Sequence, residues 1–314
     1  MKLYKQNKGI TKVIHDDGSE TSIKIVESGS YCLTTKNEVR EVFKPNNKYS
    51  IMISSSVGCK VGCKFCHLTI KKCKYKDLTS DQVNKNIQEA LRLINKKDIE
   101  TKDVKLCFMG MGDCGVDFFK TNNIIQGTLK YIINNKLASG VDSIDLGISL
   151  TYSKKPANLK KSLTKIKDEL EIFCIDNKIK NKRGVRVFYS YHHVDPYVRE
   201  QLIPNATSGK EVLLSSICKE VDVELIFHYM FIEDINDSFK DVHLLISLFQ
   251  QDLKDHQLRI LRFNPVLKYS PLKESKYFNK ILDVLNEFLP NVKFQISPGK
   301  ELDSACGMFS VLIR

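Results

Sequence analysis

Three of the ten cysteines in this 314-residue chain, Cys59, Cys63 and Cys66, fall within eight residues in the pattern C-x3-C-x2-C. Thiolates so close together on one loop can ligate three corners of a [4Fe–4S] cube, leaving the fourth iron without a protein ligand and open to a small molecule. Phe65 would shield such a cluster from solvent, and Gly58 and Gly62 allow the tight backbone wrap. The competing chemistry is structural zinc with His67 as fourth ligand, although zinc sites usually combine two separated ligand pairs and no second C-x2-C stands elsewhere in the chain. Most of the other cysteines stand alone and read as small buried hydrophobes. Cys306 is one of these lone cysteines, in Ala305-Cys306-Gly307, eight residues from the last residue.

The triplet needs a scaffold, and the pattern around it supplies one. Residues 10–50 read as β: Asp16-Asp17-Gly18 makes a turn, and Thr21, Ile23 and Ile25 alternate with polar neighbours as in a hairpin. From residue 50, apolar runs at 51–54, 104–108, 144–150, 185–190, 223–227, 258–263 and 292–296 alternate with helical patterns. Val83, Ile87, Ala90, Leu91 and Ile94 recur at helical spacing, and Thr79 with Gln82 three residues on forms a capping-box signature. Further helices fall near 122–135, 157–170, 208–220, 238–251 and 274–288. Six strand–helix units in succession imply an α/β fold with a parallel sheet, open or curled into a partial barrel, behind a small β extension. The divisions expected are 1–49 for the extension, 50–297 for the barrel and 298–314 for a C-terminal tail.

Composition excludes several classes. At 42 % hydrophobic and 27 % charged residues, the chain matches neither disordered nor collagen-like sequences. No run approaches ~18 apolar residues, so no membrane span or membrane partner is expected. The start, Met1-Lys2-Leu3-Tyr4-Lys5, is too polar for a secretory signal, so a cytoplasmic protein with reduced thiols is the expectation. Lys and Arg number 49 against 37 Asp and Glu, an excess of +12 that suits a polyanion such as RNA. Lys60, Lys64, Lys71, Lys72, Lys74 and Lys76, with Tyr75 among them, crowd the cysteine segment and would suit phosphates.

The cysteine triplet after the first strand of a six-unit α/β chain resembles the radical S-adenosylmethionine (SAM) superfamily. Met109-Gly110-Met111-Gly112-Asp113, Ser190-Tyr191-His192, Asp195 to Pro204, Phe263-Asn264-Pro265 and Asp303-Ser304-Ala305-Cys306-Gly307 follow in order. Together they are similar to the radical-SAM adenosine methyltransferases, which modify ribosomal and transfer RNA. The resemblance implies a partial (β/α)6 radical-SAM barrel with a [4Fe–4S] cluster and SAM, whose reductive cleavage gives a 5′-deoxyadenosyl radical. It implies an rRNA or tRNA substrate and an electron donor such as a flavodoxin or ferredoxin. Residue by residue, Gly112 and Asp113 would meet the SAM amino group, Ser149, Ser190 and His192 its ribose and carboxylate, and Asn264 the adenine side. Cys306 would carry the methyl group as a methylated cysteine. Glu41, on the extension, matches a family glutamate as a possible acid/base.

The chain departs from the family in three places. The family has Glu-Pro where Asp113-Cys114 stand. Its second cysteine, which resolves the protein–RNA adduct, corresponds to Met52, and a thioether cannot become a thiolate. Cys114 is then the nearest substitute by sequence context. Lastly, the family usually carries an N-terminal helical domain that helps bind RNA, whereas the residues before the triplet read as β. Two further readings stay open: a radical-SAM enzyme acting on a nucleotide, peptide or metabolite, and a non-catalytic iron–sulfur protein that binds RNA.

Overall fold

The alternation of apolar runs and amphipathic segments becomes one ten-stranded open sheet in the computed structural model of the chain. The structure describes residues 3–7, 10–25, 32–33, 39–40, 48–95, 103–134, 141–151, 156–264 and 271–295. Strands β1 (Leu3–Asn7), β2 (Ile10–Ile14) and β3 (Glu20–Ile25) run antiparallel. The two-residue strands β4 (Cys32–Leu33) and β5 (Val39–Arg40) pair with each other. β6 (Lys48–Met52) joins β3 on one side and opens the parallel part of the sheet on the other. Next come β7 (Ser56–Val57), the one-turn helix α1 (His67–Ile70) and β8 (Lys76–Asp77), with β7 and β8 paired.

The remainder alternates in register: α2 (Ser80–Asn95), β9 (Asp103–Phe108), α3 (Phe118–Asn134), β10 (Ser143–Leu150), α4 (Pro156–Asp176), β11 (Val185–Ser190), α5 (Pro196–Leu202), α6 (Glu211–Val221), β12 (Glu224–Tyr229), α7 (Phe239–Gln250), β13 (Gln257–Leu261), α8 (Phe278–Phe288) and β14 (Val292–Gln295). The sheet order is β1-β2-β3-β6-β9-β10-β11-β12-β13-β14, and every neighbour from β6 onward is parallel. Helical crossovers between sequential parallel neighbours give the partial α/β barrel that the pattern implies. The Thr79–Gln82 capping box is formed in both directions, at 2.9 and 3.2 Å, and starts α2.

The two faces of the strands differ in chemistry. Ile144, Leu146, Ile148 and Leu150 of β10 pack outward, in one core with Ile124 and Leu129 of α3 and Leu159 and Leu163 of α4. The inner face is charged, which the apolar appearance of the strands does not announce. Lys105, Asp145, Arg186, Phe188, Ser190, His228 and Arg259 follow one another across the paired strands. The Phe188 ring takes the Lys105 ammonium at 4.6 Å and the Arg259 and Arg186 guanidinium groups at 5.3 and 5.6 Å. Cations held against a ring face in a desolvated interior keep a favourable partner where water is absent.

The antiparallel strands carry an ion pair of their own, Lys12 to Glu20 at 2.8 Å, with side chains 4 % and 0 % exposed. Removing one partner of a buried pair strands the other, whereas replacing both by apolar groups is close to neutral. Glu20→Ala should therefore lose about 3–5 kcal/mol in urea unfolding. Lys12→Met combined with Glu20→Leu should recover most of that loss in the same measurement.

Candidate active site

The cysteine loop leaves the sheet at the carboxyl end of β6 and is stitched at once to the loop after β9. Gly110 N donates to Ile53 O and Ser55 N to Met111 O, both at 2.9 Å. The Ser54 hydroxyl donates to Glu20 O at 2.5 Å and accepts from Met111 N at 2.9 Å. Gly112 has φ +93°, and a Cβ there would run into the Ser55 and Ser56 hydroxyls. Gly58 has φ +67°, and its Cβ would lie 2.8 Å from Lys74 O. Both positions need glycine on conformation and on space.

Cys59, Cys63 and Cys66 are half-buried on this loop. Val61 N donates to Cys59 Sγ at 3.4 Å. Burial pushes the Cys59 thiol up to about 11, against the pull of the Val61, Gly62 and Gly112 amides. Cys63 lies well above its ordinary range, first through burial and then through the neighbouring Cys66 and Cys59 thiolates. Thiols raised by burial, and at Cys63 by their neighbours, need a metal to be held as thiolates, and the amides around Cys59 suit sulfur that carries charge. Among the described residues no three His, Cys, Asp or Glu side chains converge on one ion. A cube differs, because each thiolate takes a different iron. The donor set fits a cluster, with His67 buried at the start of α1.

Helix α5 holds the loop from the other side. Asp195 caps it through Tyr197 N at 2.8 Å and Val198 N at 3.2 Å, and Pro196 begins it. At its end Leu202 O accepts from Lys64 N at 2.9 Å. Asn205 Nδ2 donates to Lys60 O at 2.9 Å. Val61, Leu202, Ile203, Met230 and Phe263 form the apolar bed on which Cys59, Cys63 and Phe65 rest.

The residues expected to meet SAM are distributed around this loop. His192 leaves β11 in the left-handed region, φ 57°, and its ring meets the Phe65 ring edge-on at 4.9 Å. Burial, followed by the charge of Arg199, lowers its pKa to about 3, so the imidazole is neutral. Its Nδ1 is buried and has no hydrogen-bond partner among the described residues. Ser149 and Ser190 are half-buried at the carboxyl ends of β10 and β11, and Asn264 is buried just past β13.

The structure buries two of the expected residues. The Asp113 carboxylate is bonded within the fold. It accepts from Gly115 N at 2.7 Å, from Thr151 N at 2.6 Å and from the Thr151 hydroxyl. Cys114, the expected substitute for a thiol at Met52, is 3 % exposed and belongs to the main core. Burial pushes its thiol far above the ordinary range, which leaves no thiolate for chemistry in this conformation. The sequence reading passed over Cys73. It is half-buried and packs with Met52, Cys59 and Cys66 around Leu68 and Met111. Thr151, Arg199 and Asn205 were also passed over as individual residues. Glu41 and Cys306 lie outside the described residues.

An open parallel sheet with its thiol loop after the first parallel strand is a partial α/β barrel, an architecture found among solved enzymes. A solved radical SAM methyltransferase from Sphaerobacter thermophilus matches at a TM-score of 0.67 and 17 % identity, covering 98 % of this chain and 79 % of that one. No family model matches the sequence. Among curated proteins, the chain is similar to a probable dual-specificity RNA methyltransferase RlmN of Endomicrobium trichonymphae, 28 % identical over 276 residues, 85 % of this chain and 70 % of the relative. The dual-specificity RNA methyltransferases RlmN of Aliarcobacter butzleri and Campylobacter hominis are 28 % and 25 % identical over 83 % and 93 % of this chain, which spans 66 % and 77 % of their lengths. No helix among the described residues is long and apolar enough to cross a membrane.

The buried Asp113 gives a pH signature. Burial raises its pKa from 3.8 to about 6 despite the Thr151 and Gly115 bonds. Its contribution to stability is therefore fully present below pH 3.8 and lost as pH rises through 6. Relative to Asp113→Asn, the native chain should lose about 3 kcal/mol of unfolding free energy across that range. Urea unfolding at pH 4 and pH 7 checks this, and a gap that stays constant is the contrary result.

Proposed function

We propose that this chain is a radical-SAM methyltransferase that modifies an RNA adenosine, with Cys306 as its methyl carrier. The observation that carries the reading is the three-thiol loop, seated on a radical-SAM barrel in a chain similar to dual-specificity RNA methyltransferases. Cys59, Cys63 and Cys66 would hold three irons of a [4Fe–4S] cluster and leave the fourth for SAM. Bound together, these supply a carbon-centred radical and a transferable methyl group, given one electron from a low-potential donor such as a flavodoxin or ferredoxin. The chain's own residues do the rest. The Phe65–His192 edge contact closes the loop against water, and the neutral His192 can hydrogen-bond without adding charge. The Gly112–Asp113 backbone, fixed by the carboxylate beneath it, presents polar groups to the SAM amino group. A sulfur nucleophile accepts the methyl because an electron-poor ring carbon cannot attack it directly.

Met52 favours a second reading, the same radical chemistry on a substrate other than RNA, because the resolving thiolate is missing there. Cys73, in the Met52 patch, is the better-placed substitute for that thiol than the core-bound Cys114.

Two measurements test these readings. Anaerobic reconstitution should give about four irons per chain and a charge-transfer band near ~400 nm. Cys59→Ala, Cys63→Ala and Cys66→Ala should each abolish cleavage of SAM to 5′-deoxyadenosine, and tight binding of one zinc without iron overturns the proposal. For RNA, the six lysines of the cysteine segment are all exposed, and Lys60 Nζ stands 4.4 Å over the Tyr75 ring. Binding to structured RNA should weaken as salt rises. Replacing Lys71, Lys72 and Lys74 by Gln should reduce the log–log salt slope by about 2. An absence of RNA binding at low salt would select the second reading.

A further inference from the structure

Arg199, on α5, is fully buried, the largest side chain so enclosed among the described residues. All five of its N–H bonds are used. Nε donates to Tyr191 O at 2.9 Å. Nη1 donates to Thr207 O at 3.0 Å and Ser208 Oγ at 3.1 Å. Nη2 donates to Thr151 O at 3.0 Å and Ser190 O at 2.7 Å. Every acceptor is neutral, and the guanidinium face lies 4.8 Å from the Tyr189 ring centroid. No carboxylate among the described residues makes an ion pair with it. Satisfied hydrogen bonds answer for the N–H groups but not for the charge, which the buried Asp113 carboxylate on the far side of Thr151 feels without touching it, so the cation is only partly compensated, and a buried cation short of compensation is costly. Arg remains charged in proteins, so it cannot escape by losing a proton.

Its position says which negative charge it is placed to meet. One turn along α5, Leu202 O holds Lys64 N, between Cys63 and Phe65. Tyr191 and Ser190, whose carbonyls it binds, lead into His192, which rests on Phe65. Thr151, whose carbonyl it binds, carries the Asp113 carboxylate on its amide and hydroxyl. The guanidinium is thus tied to three of the elements against which the thiol loop rests: α5, the end of β11 and the residue after β10.

We propose that Arg199 is the buried counter-cation of the metal centre, a positioning residue whose fixed charge raises the reduction potential of the cluster. The proposal rests on the cluster reading above. With three thiolates, a [4Fe–4S] core of charge 2+ has a net charge of −1, and one electron from an external donor takes it to −2. No bond forms or breaks at Arg199 and no proton moves; its charge favours the more negative state.

The test compares the wild-type protein with Arg199→Gln and Arg199→Lys, each reconstituted anaerobically, by iron content and by EPR-monitored titration with dithionite. Arg199→Gln should bind iron like the wild type yet take up an electron at least tenfold less favourably, a midpoint about 59 mV more negative. Arg199→Lys, which keeps the charge and loses the fork, should stay within threefold of the wild type. A midpoint unchanged in Arg199→Gln, or a shift as large in Arg199→Lys, overturns the proposal. Should Arg199→Gln fail to fold, Arg199→Met, which keeps the apolar stem and loses the charge, takes its place: a tenfold loss beside a near-native Arg199→Lys supports the role of charge, and an unchanged midpoint overturns it. A wild-type protein that takes up no iron defeats the cluster reading itself, whereas normal iron with a charge-indifferent midpoint defeats only this inference.

Discussion

The site depends on a short run of hydrogen bonds that carries the pairing of β6 and β9 beyond the ends of the strands. Ile53 N to Cys107 O at 2.7 Å, Gly110 N to Ile53 O and Ser55 N to Met111 O continue the ladder into two loops, with the Ser54 hydroxyl as a third tie. Loops at the carboxyl edge of a parallel sheet ordinarily diverge toward solvent. These two stay in contact for several residues, so the thiol loop and the Gly112–Asp113 turn have a fixed relation to each other. Everything placed on them inherits that relation, from the half-buried thiols to the backbone offered to a small molecule.

A second layer of order comes from the strands' division of labour. Aliphatic residues, with rings such as Tyr189 and Phe227, face the helices and build the continuous core, while the charged residues and Phe188 turn inward. The inward charges sit lower in the strands, around Phe188. Nearer the carboxyl ends come Ser149, Ser190 and the neutral His192. The fully buried Arg199 then spans the carbonyls of β11 and the residues following β10, so the upper rim is braced by a cation from α5 rather than by packing alone.

Much of this was legible in the residues. Thiols at a three- and two-residue spacing announce metal chemistry wherever they occur, and the Thr79–Gln82 pair marked the start of α2 because capping is a local interaction. What escaped the sequence is what tertiary contact decides. Arg199 and Asn205 act on backbone carbonyls of distant loops, and no periodicity reveals a carbonyl's need for a donor. Nothing in the neighbours of Asp113 discloses that Thr151, from another strand end, bonds its carboxylate. Cys114 follows the same turn yet points into the core, and Cys73 returns to the cysteine loop only because Lys72 turns the chain at φ 50°.

The tie between the two loops is made of main-chain groups and two serine hydroxyls, and that has a consequence for inheritance. Main-chain groups are common to every sequence, so the side chains on both loops are released from the task of holding them together. They can drift with the demands of a substrate while the frame persists, so long as the glycines that let the loops touch are kept. A scaffold held in this way survives replacement of nearly three quarters of its residues, which is the distance between this chain and the relatives it resembles.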